Sequence, residues 1–235
     1  MTPRPPRLEA SFQELAAAVP ATIGIAVARP DVAAALSLGR WSSGVAWSTI
    51  KVPLAIAALR RDPARAHDLV VKAITESSNE AAERLWSQLG DPARAALRVQ
   101  AVVHDCGDAA TVVESQRIRP PFTAFGQTQW PLDRQARFAA GLPGIGDAAT
   151  VIDLMRRLTP DQRWGLAAKG IAAKAGWGPG LADDYLVRQV GIVPTESAYV
   201  GVALAAEARA FDAGVEVINA MTDWLVCHLP AITLQ

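Results

Sequence analysis

The chain is poor in the residues that most often bind metals or cross-link small folds. Its 235 residues include two cysteines, Cys106 and Cys227, and three histidines, His67, His104 and His228. Two distant cysteines make no disulfide framework and no C-x-x-C pair. Both are expected as buried free thiols. The histidines share no helical ligand spacing, so no zinc site and no cofactor is expected. Net charge is also missing: 23 Lys and Arg balance 23 Asp and Glu. With no basic run, the chain lacks the concentrated positive patch that phosphate binding needs, which argues weakly against a nucleic-acid partner. No apolar run is long enough to cross a bilayer, so no membrane partner is expected. Met1 to Ala10 contains no apolar h-region. No signal peptide is visible, and the sequence as written predicts a cytoplasmic protein, exported only if a leader was removed.

Lysine is scarce too. Lys51, Lys72, Lys169 and Lys174 are the four in the chain, against 19 arginines. In a chain that prefers arginine, a retained lysine is a candidate for work that arginine cannot do. A lysine loses its proton when its surroundings demand it; an arginine effectively does not.

What is present is an ordinary globular composition, 51% hydrophobic and 20% charged. It allows a sizeable core in one large domain or two joined lobes. Leu8, Phe12, Leu15 and Val19 recur at helical spacing after a proline-rich start, and Pro20 stops that helix. Thr22 to Ala28 reads as a strand, with Val32 to Leu38 as a weaker partner. Gly44 to Leu59 suggests a buried helix whose first turn carries Ser48 and Lys51. Helices are expected over Leu69 to Ile74, Glu80 to Leu89, from Asp91-Pro92 toward Val103, and over Ala148 to Leu158. Prolines and glycines between Ile118 and Gly146 demand a substantial loop, with Leu132 to Ala140 helical inside it. Ile171 to Ala175, Tyr185 to Val193 and Ala198 to Ala205 read as strands, the first two joined by a hairpin turn over Gly176 to Asp184. Val215, Ile218, Met221 and Leu225 mark a last amphipathic helix.

Strands therefore lie at both ends and helices fill the middle. The expected fold is α+β: an antiparallel sheet built from both chain ends, flanked by the N- and C-terminal helices, plus an all-helical lobe. The sheet lobe would take residues 1–50 and 165–235, and the helical lobe residues 51–164, with a cleft between them.

Three short motifs could meet in that cleft. In Ser48-Thr49-Ile50-Lys51, positions three apart share a helix face, so Oγ and Nζ come within reach. The helix N-terminus carries positive partial charge, which favours a neutral lysine and a serine alkoxide. Ser77-Ser78-Asn79 supplies a second hydroxyl and an amide. Lys174-Ala175-Gly176 supplies a second cation that pushes Lys51 further toward neutrality. Serine activated by lysine is an established variant of nucleophilic catalysis.

The ordered set resembles the penicillin-recognising serine hydrolases, in particular class A β-lactamases with their Ser-x-x-Lys, Ser-Asp-Asn and Lys-Thr-Gly motifs. Ser48-Thr49-Ile50-Lys51-Val52 is similar to the first motif, the run Ile74 to Ala82 to the second, and Lys174 to Gly178 to the third. The resemblance implies a β-lactamase/transpeptidase-like fold. It implies Ser48 as the acylated nucleophile and Lys51 as its base. Ser77 would be a proton shuttle. Asn79 would hold Lys51 and the substrate amide, and Lys174 would attract a substrate carboxylate. An oxyanion hole would form from the backbone N–H groups of Ser48 and Trp177, and a substrate surface from Asn79, Lys174, Gly176 and Trp177. Three departures stand out. Ser78 replaces an aspartate, and Ala175 replaces a threonine or serine. Where the family places its deacylating glutamate, this chain has Gln116 or Arg117. Glu114 is near but off register, and Gln127 and Gln129 are poor bases. At least one of Trp47, Trp130 and Trp177 is expected to line the cleft.

The resulting expectation is a serine hydrolase acting through a Ser48 acyl-enzyme on an amide or ester, with slow or absent β-lactam turnover. A true class A β-lactamase and a non-catalytic ligand-binding homologue are the alternatives. The expected partner is a small-molecule or peptide-like substrate, β-lactams included.

Overall fold

The computed structural model describes residues 6–180, 184–196 and 198–233. The proline-rich start (1–5) and the centre of the expected hairpin turn (181–183) lie outside the described residues.

Helix α1 (Pro6–Ala18) leads into β1 (Thr22–Ala28), β2 (Leu36–Gly39) and the short β3 (Ser43–Val45). A 3₁₀ turn, Trp47–Ile50, runs directly into α2 (Lys51–Arg61). Helices α3 (Pro63–Thr75), α4 (Asn79–Gln88) and α5 (Pro92–Asp105) follow. A long connection reaches β4 (Gln129–Pro131), α6 (Leu132–Gly141) and α7 (Ala149–Arg156). Then come β5 (Ala172–Pro179), β6 (Tyr185–Pro194), β7 (Tyr199–Ala208) and α8 (Phe211–Thr233). No single helix among the described residues is long and apolar enough to cross a membrane.

The central helices start where local chemistry dictates. Asp62 accepts a hydrogen bond from the Arg65 amide, and Asp91 from the Arg94 amide, each just before a proline at the first helical position. Those side chains satisfy N–H groups that the first turn leaves orphaned, and proline has no N–H to lose there.

Five strands form one antiparallel sheet in the order β2-β1-β7-β6-β5. β1 pairs with β7 from Thr22 opposite Glu207 to Ala28 opposite Gly201, so the two ends of the fold are adjacent strands. Side chains alternate across a strand. Ile23, Ile25, Val27, Val202 and Leu204 therefore point one way, into a core shared with Phe12 of α1 and Ile218 and Met221 of α8. Ala26, Ala28, Ala203 and Ala205 point the other way, beneath Leu132, Ala136 and Ala140 of α6. Small residues let that helix come close: a Cβ at Gly201 would stand 2.1 Å from the Ala136 carbonyl oxygen. A third core lies among α2, α3, α4, α5 and α7. Every residue of α2 from Lys51 to Ala58 is buried, as in a helix surrounded on all sides.

The structure departs from the sequence expectations in several places. β5 runs on to Pro179, so Gly176 to Pro179, expected in the hairpin turn, are strand residues paired with β6. β2 covers Leu36–Gly39 rather than 32–38, because Ala33 to Ala35 have little preference for a pleated surface. β3 and β4 pair as a separate ribbon, too short to leave a periodic signal. Helix α6 was expected wholly within the helical lobe; instead it lies on the sheet through Leu132 and Ala136, with Phe138 turned to the helical core. Ser48 precedes α2 on a 3₁₀ turn rather than within its first α-helical turn. Cys227 is exposed on α8, while Cys106 is buried, and burial pushes the Cys106 thiol up to about 12.

Candidate active site

The 3₁₀ turn is clamped before it presents Ser48. The Ala46 amide donates to the Thr128 carbonyl at 2.8 Å. The Thr49 hydroxyl donates to the Ala46 carbonyl at 2.5 Å and accepts from Gln135 Nε2 at 2.9 Å. Gln135 Oε1 in turn accepts from Arg188 at 2.8 Å. The orphan amides and partial positive charge of a helix start are thus brought to Ser48.

Strand β5 closes on this turn. A Cβ at Gly176 would stand 2.7 Å from the Ser48 amide nitrogen and 2.9 Å from both Ala46 O and Thr49 N. These are backbone atoms that cannot swing aside, so only glycine allows the approach. A Cβ at Gly178 would likewise strike the Trp47 ring at 2.4 Å. β5 is the edge of the sheet, so it presents backbone groups without a strand partner toward the Ser48 turn.

Two non-glycine residues among those described have left-handed backbone, Trp47 at φ 49° and Ser77 at φ 58°. Both belong to this site. Such conformations cost of order 1 kcal/mol or more and persist where their surroundings enforce them.

Ser77 sits on the connection between α3 and α4. The Ser78 amide donates to the Lys72 carbonyl, and the Ser78 hydroxyl accepts from the Ala81 amide at 3.2 Å. Ser78 is therefore the N-cap of α4, work a serine does as well as an aspartate. The cap sets Ser77 and Asn79 on either side of itself. Lys51 Nζ donates to the Ser77 carbonyl at 2.5 Å and to Asn79 Oδ1 at 2.7 Å, with Ser77 Oγ at 3.4 Å. Lys174 Nζ reaches the same Ser77 Oγ at 2.8 Å and the Ala175 carbonyl at 3.0 Å. Two lysines, Lys51 from helix α2 and Lys174 from strand β5, thus converge on one hydroxyl. None of the hydrogen bonds of Lys51 goes to Ser48.

Both lysines are buried: Lys51, at the cleft floor, is 1% exposed and Lys174 is 0% exposed. Burial lowers Lys51 to about 7. Lys174 falls well below the ordinary lysine value, first through burial and then through the charge of Lys51, with Asp161 opposing. A neutral Lys51 has two N–H bonds and one lone pair. The Ser77 carbonyl and Asn79 Oδ1 take the two N–H bonds, which leaves the lone pair for a hydroxyl.

Ser48, Lys51 and Asn79 line a cleft of about 450 Å³, together with Trp47 and Trp177. Trp130, the third tryptophan considered, is fully buried and donates from Nε1 to Asp108 at 2.9 Å. The Ala175 methyl packs in the apolar core beneath α8, and not on the cleft wall. None of Glu114, Gln116, Arg117, Gln127 and Gln129 lines the cleft. Glu114 accepts from the Gln116 amide at 2.6 Å, Arg117 pairs with Glu83 at 2.5 Å, and Gln129 is exposed on β4. Gln127 is 1% exposed, and neither atom of its amide group has a hydrogen-bond partner.

The cleft carboxylates come from elsewhere. Glu80 and Glu83, three apart on α4, face it directly. Glu83 stands four residues after Asn79 on one helix, and that spacing was the available signal. Opposite them stand Phe122 and Phe125, from the long connection after α5. Arg119 ties that connection to the sheet, donating to the carbonyls of Pro179 at 2.9 Å and Gly180 at 3.1 Å.

No protein-family model matches the chain, and no curated protein matches it. Solved structures do. A class A β-lactamase from Mycobacterium abscessus superposes with a TM-score of 0.73 at 16% identity, covering 95% of this chain and 99% of its own. PBP-A superposes with a TM-score of 0.73 at 20% identity, over 98% and 99%. A β-lactamase from Streptosporangium roseum gives 0.70 at 17%, over 96% and 99%. The chain has the fold of class A β-lactamases and PBP-A along nearly its whole length.

Proposed function

We propose that this protein is a serine hydrolase that works through a Ser48 acyl-enzyme on an amide or ester, with slow or absent β-lactam turnover. The observation that carries the reading is the convergence of Lys51 and Lys174 on Ser77, with Lys51 lining the same cleft as Ser48. Two buried lysines around one serine have little structural merit, since burying an ammonium is costly. They make sense as proton carriers.

The proposed acylation runs as follows. The Ser48 hydroxyl gives its proton to the Lys51 lone pair, directly or through Ser77, and Oγ bonds to the substrate carbonyl carbon. The carbonyl oxygen becomes an oxyanion held by the Ser48 and Trp177 amides, each donor contributing about 3 kcal/mol in such sites. The carbon–nitrogen or carbon–oxygen bond then breaks. The leaving atom takes a proton from Ser77, which regains one from Lys51, the carrier of the proton that left Ser48. Water later attacks the ester and restores Ser48.

Slow deacylation follows from the carboxylates. Glu114 is spent on the Gln116 amide, and Glu83 is paired with Arg117. Neither is free to activate water as a base must, and Glu80, the other carboxylate lining the cleft, is exposed and has no hydrogen bond among the described residues to hold it in position.

Intact mass after incubation with a reporter β-lactam tests this, with Ser48→Ala alongside. A persistent adduct that the variant lacks is the expected result. Rapid turnover would instead make the protein a β-lactamase. With no adduct and no hydrolysis of activated esters, a non-catalytic binding role takes the place of this reading.

A further inference from the structure

We propose that Arg119 is a specificity-determining residue that binds an anionic group on the acyl half of the substrate, away from the leaving group. The inference rests on the hydrolase reading above and names the acyl donors that site takes.

Arg119 belongs to the long connection after α5 and is half-buried where that connection meets the tip of β5. A guanidinium carries five N–H donors. Nη2 donates to the carbonyls of Pro179 at 2.9 Å and Gly180 at 3.1 Å. Nε and Nη1 have no partner, and no carboxylate pairs with this arginine, among the described residues. Its guanidinium carbon lies 5.7 Å from the Trp47 ring centre and 5.3 Å from that of Phe122. Both rings line the Ser48 cleft, and so does Pro179. Two carbonyls and two rings therefore fix the charge at the cleft rim with donors to spare. A planar cation held in place with free N–H groups matches a carboxylate, and charge-assisted bonds of that kind are short and strong.

The position of Arg119 along β5 decides which half of a substrate it meets. Ser77, the proposed donor to the leaving atom, stands with Lys174 toward the start of the strand. The Trp177 amide, assigned to the oxyanion, comes further along, and Pro179 ends the strand. At about 3.3 Å per residue, roughly 16 Å of strand separates Lys174 from Pro179. A carbonyl carbon held at Trp177 thus has its leaving group toward Lys174 and its acyl group toward Arg119. The acidic residues of α4 do not cancel this charge. Glu83 is paired with Arg117, and Glu80 has Lys72 and Arg84 as neighbours around the groove that adjoins the cleft.

Two donors with one leaving group make the test: the 4-nitrophenyl esters of 4-carboxyphenylacetic acid and of its neutral 4-carbamoyl analogue. Acylation joins the carbonyl carbon to Ser48 Oγ, passes the serine proton to Lys51 and releases 4-nitrophenolate, so nitrophenolate release and intact mass read one step. Below saturation the carboxylate donor should acylate wild-type protein about tenfold faster, and about 1 M salt should narrow the gap. Arg119→Met should cut the preference to about twofold or less, and Arg119→Lys, which keeps the charge, should fall between. Calorimetric titration of the same esters into Ser48→Ala protein reads binding without chemistry and should give the same order. Equal rates, a faster carbamoyl donor, or a preference that survives Arg119→Met overturns the assignment; an equal loss with both donors would mean that Arg119 only holds the wall. If neither ester acylates wild-type protein while Ser48→Ala still prefers the carboxylate through Arg119, the hydrolase reading falls and the anion site stands. With no acylation and no binding preference, both fall.

Discussion

Lys174 Nζ lies 2.8 Å from Ser77 Oγ, although the two residues are 97 positions apart and the lysine is completely buried. The contact joins the sheet edge to the helical side at a residue with strained backbone. A charged ammonium without a carboxylate partner is expensive there, so the neutral amine is the form the site holds. Lys174→Met should slow acylation about 100-fold or more, in the range of lost acid–base catalysis. Lys174→Arg should not restore it, because a guanidinium does not give up its proton, and should also lower the melting temperature. Rates of adduct formation and thermal melts check both. An arginine variant that acylates normally would sink the relay.

Acylation should gain speed with rising pH through about 7 and then level off, since the base is neutral Lys51 and burial holds its pKa near that value. Stability carries the same sign. In the unfolded chain Lys51 returns to its ordinary 10.5. Between about 7 and 10.5 the unfolded state therefore binds more protons, and stability rises with pH across that window. Wild type should gain about 3 kcal/mol relative to Lys51→Met between about pH 7 and pH 10. Urea unfolding at several pH values measures it, and a constant difference between the two proteins would refute the shift.

Much of this site was legible because its chemistry sits in short runs. Ser48 and Lys51 are one turn apart, Ser77 and Asn79 flank a helix cap, and Lys174 is one of four lysines. Strands at both ends of the chain announced a sheet that both ends would share, and β1 does pair with β7. What stayed hidden depends on contacts distant in sequence. Trp130 and Trp177 look alike as neighbours of motifs, yet one is sealed by Asp108 and Phe138 and the other walls the cleft. The contact of Lys174 with Ser77 Oγ and its complete burial likewise depend on residues 97 positions apart. Glu80 reads as an ordinary first-turn acid until Phe122 and Trp177 are placed opposite it.

Gly176→Ala should damage the site more than a methyl group suggests. Its Cβ would press on Ser48 N, Ala46 O and Thr49 N, all within 3 Å. Separating β5 from the turn would displace the amides proposed to hold the oxyanion. A loss of about 1 to 3 kcal/mol in stability is expected, as for overpacking elsewhere, with acylation reduced more steeply than the stability loss explains. Urea denaturation and adduct kinetics on the same sample distinguish the two. A variant with unchanged acylation would show that the close approach has no catalytic consequence.

Arg188 offers the last test, because it organises the turn without touching the cleft. Its guanidinium is fully buried with no acidic partner among the described residues, and burial pulls it down to about 9. It is held by the carbonyls of Gly44 at 2.9 Å, Val45 at 3.0 Å and Trp130 at 3.0 Å, and by Gln135 Oε1. Those acceptors belong to β3, β4 and α6, the elements that flank the Ser48 turn, and Gln135 passes the restraint on through Thr49. Arg188→Met would remove the side-chain donor shared by three backbone carbonyls and Gln135 Oε1, for a loss of about 1 to 3 kcal/mol. Arg188→Lys should recover little, since one ammonium cannot span a fork of acceptors. If the network positions Ser48, kcat for ester hydrolysis should fall in both variants while KM changes little. A normal kcat in a folded Arg188 variant would confine its role to stability.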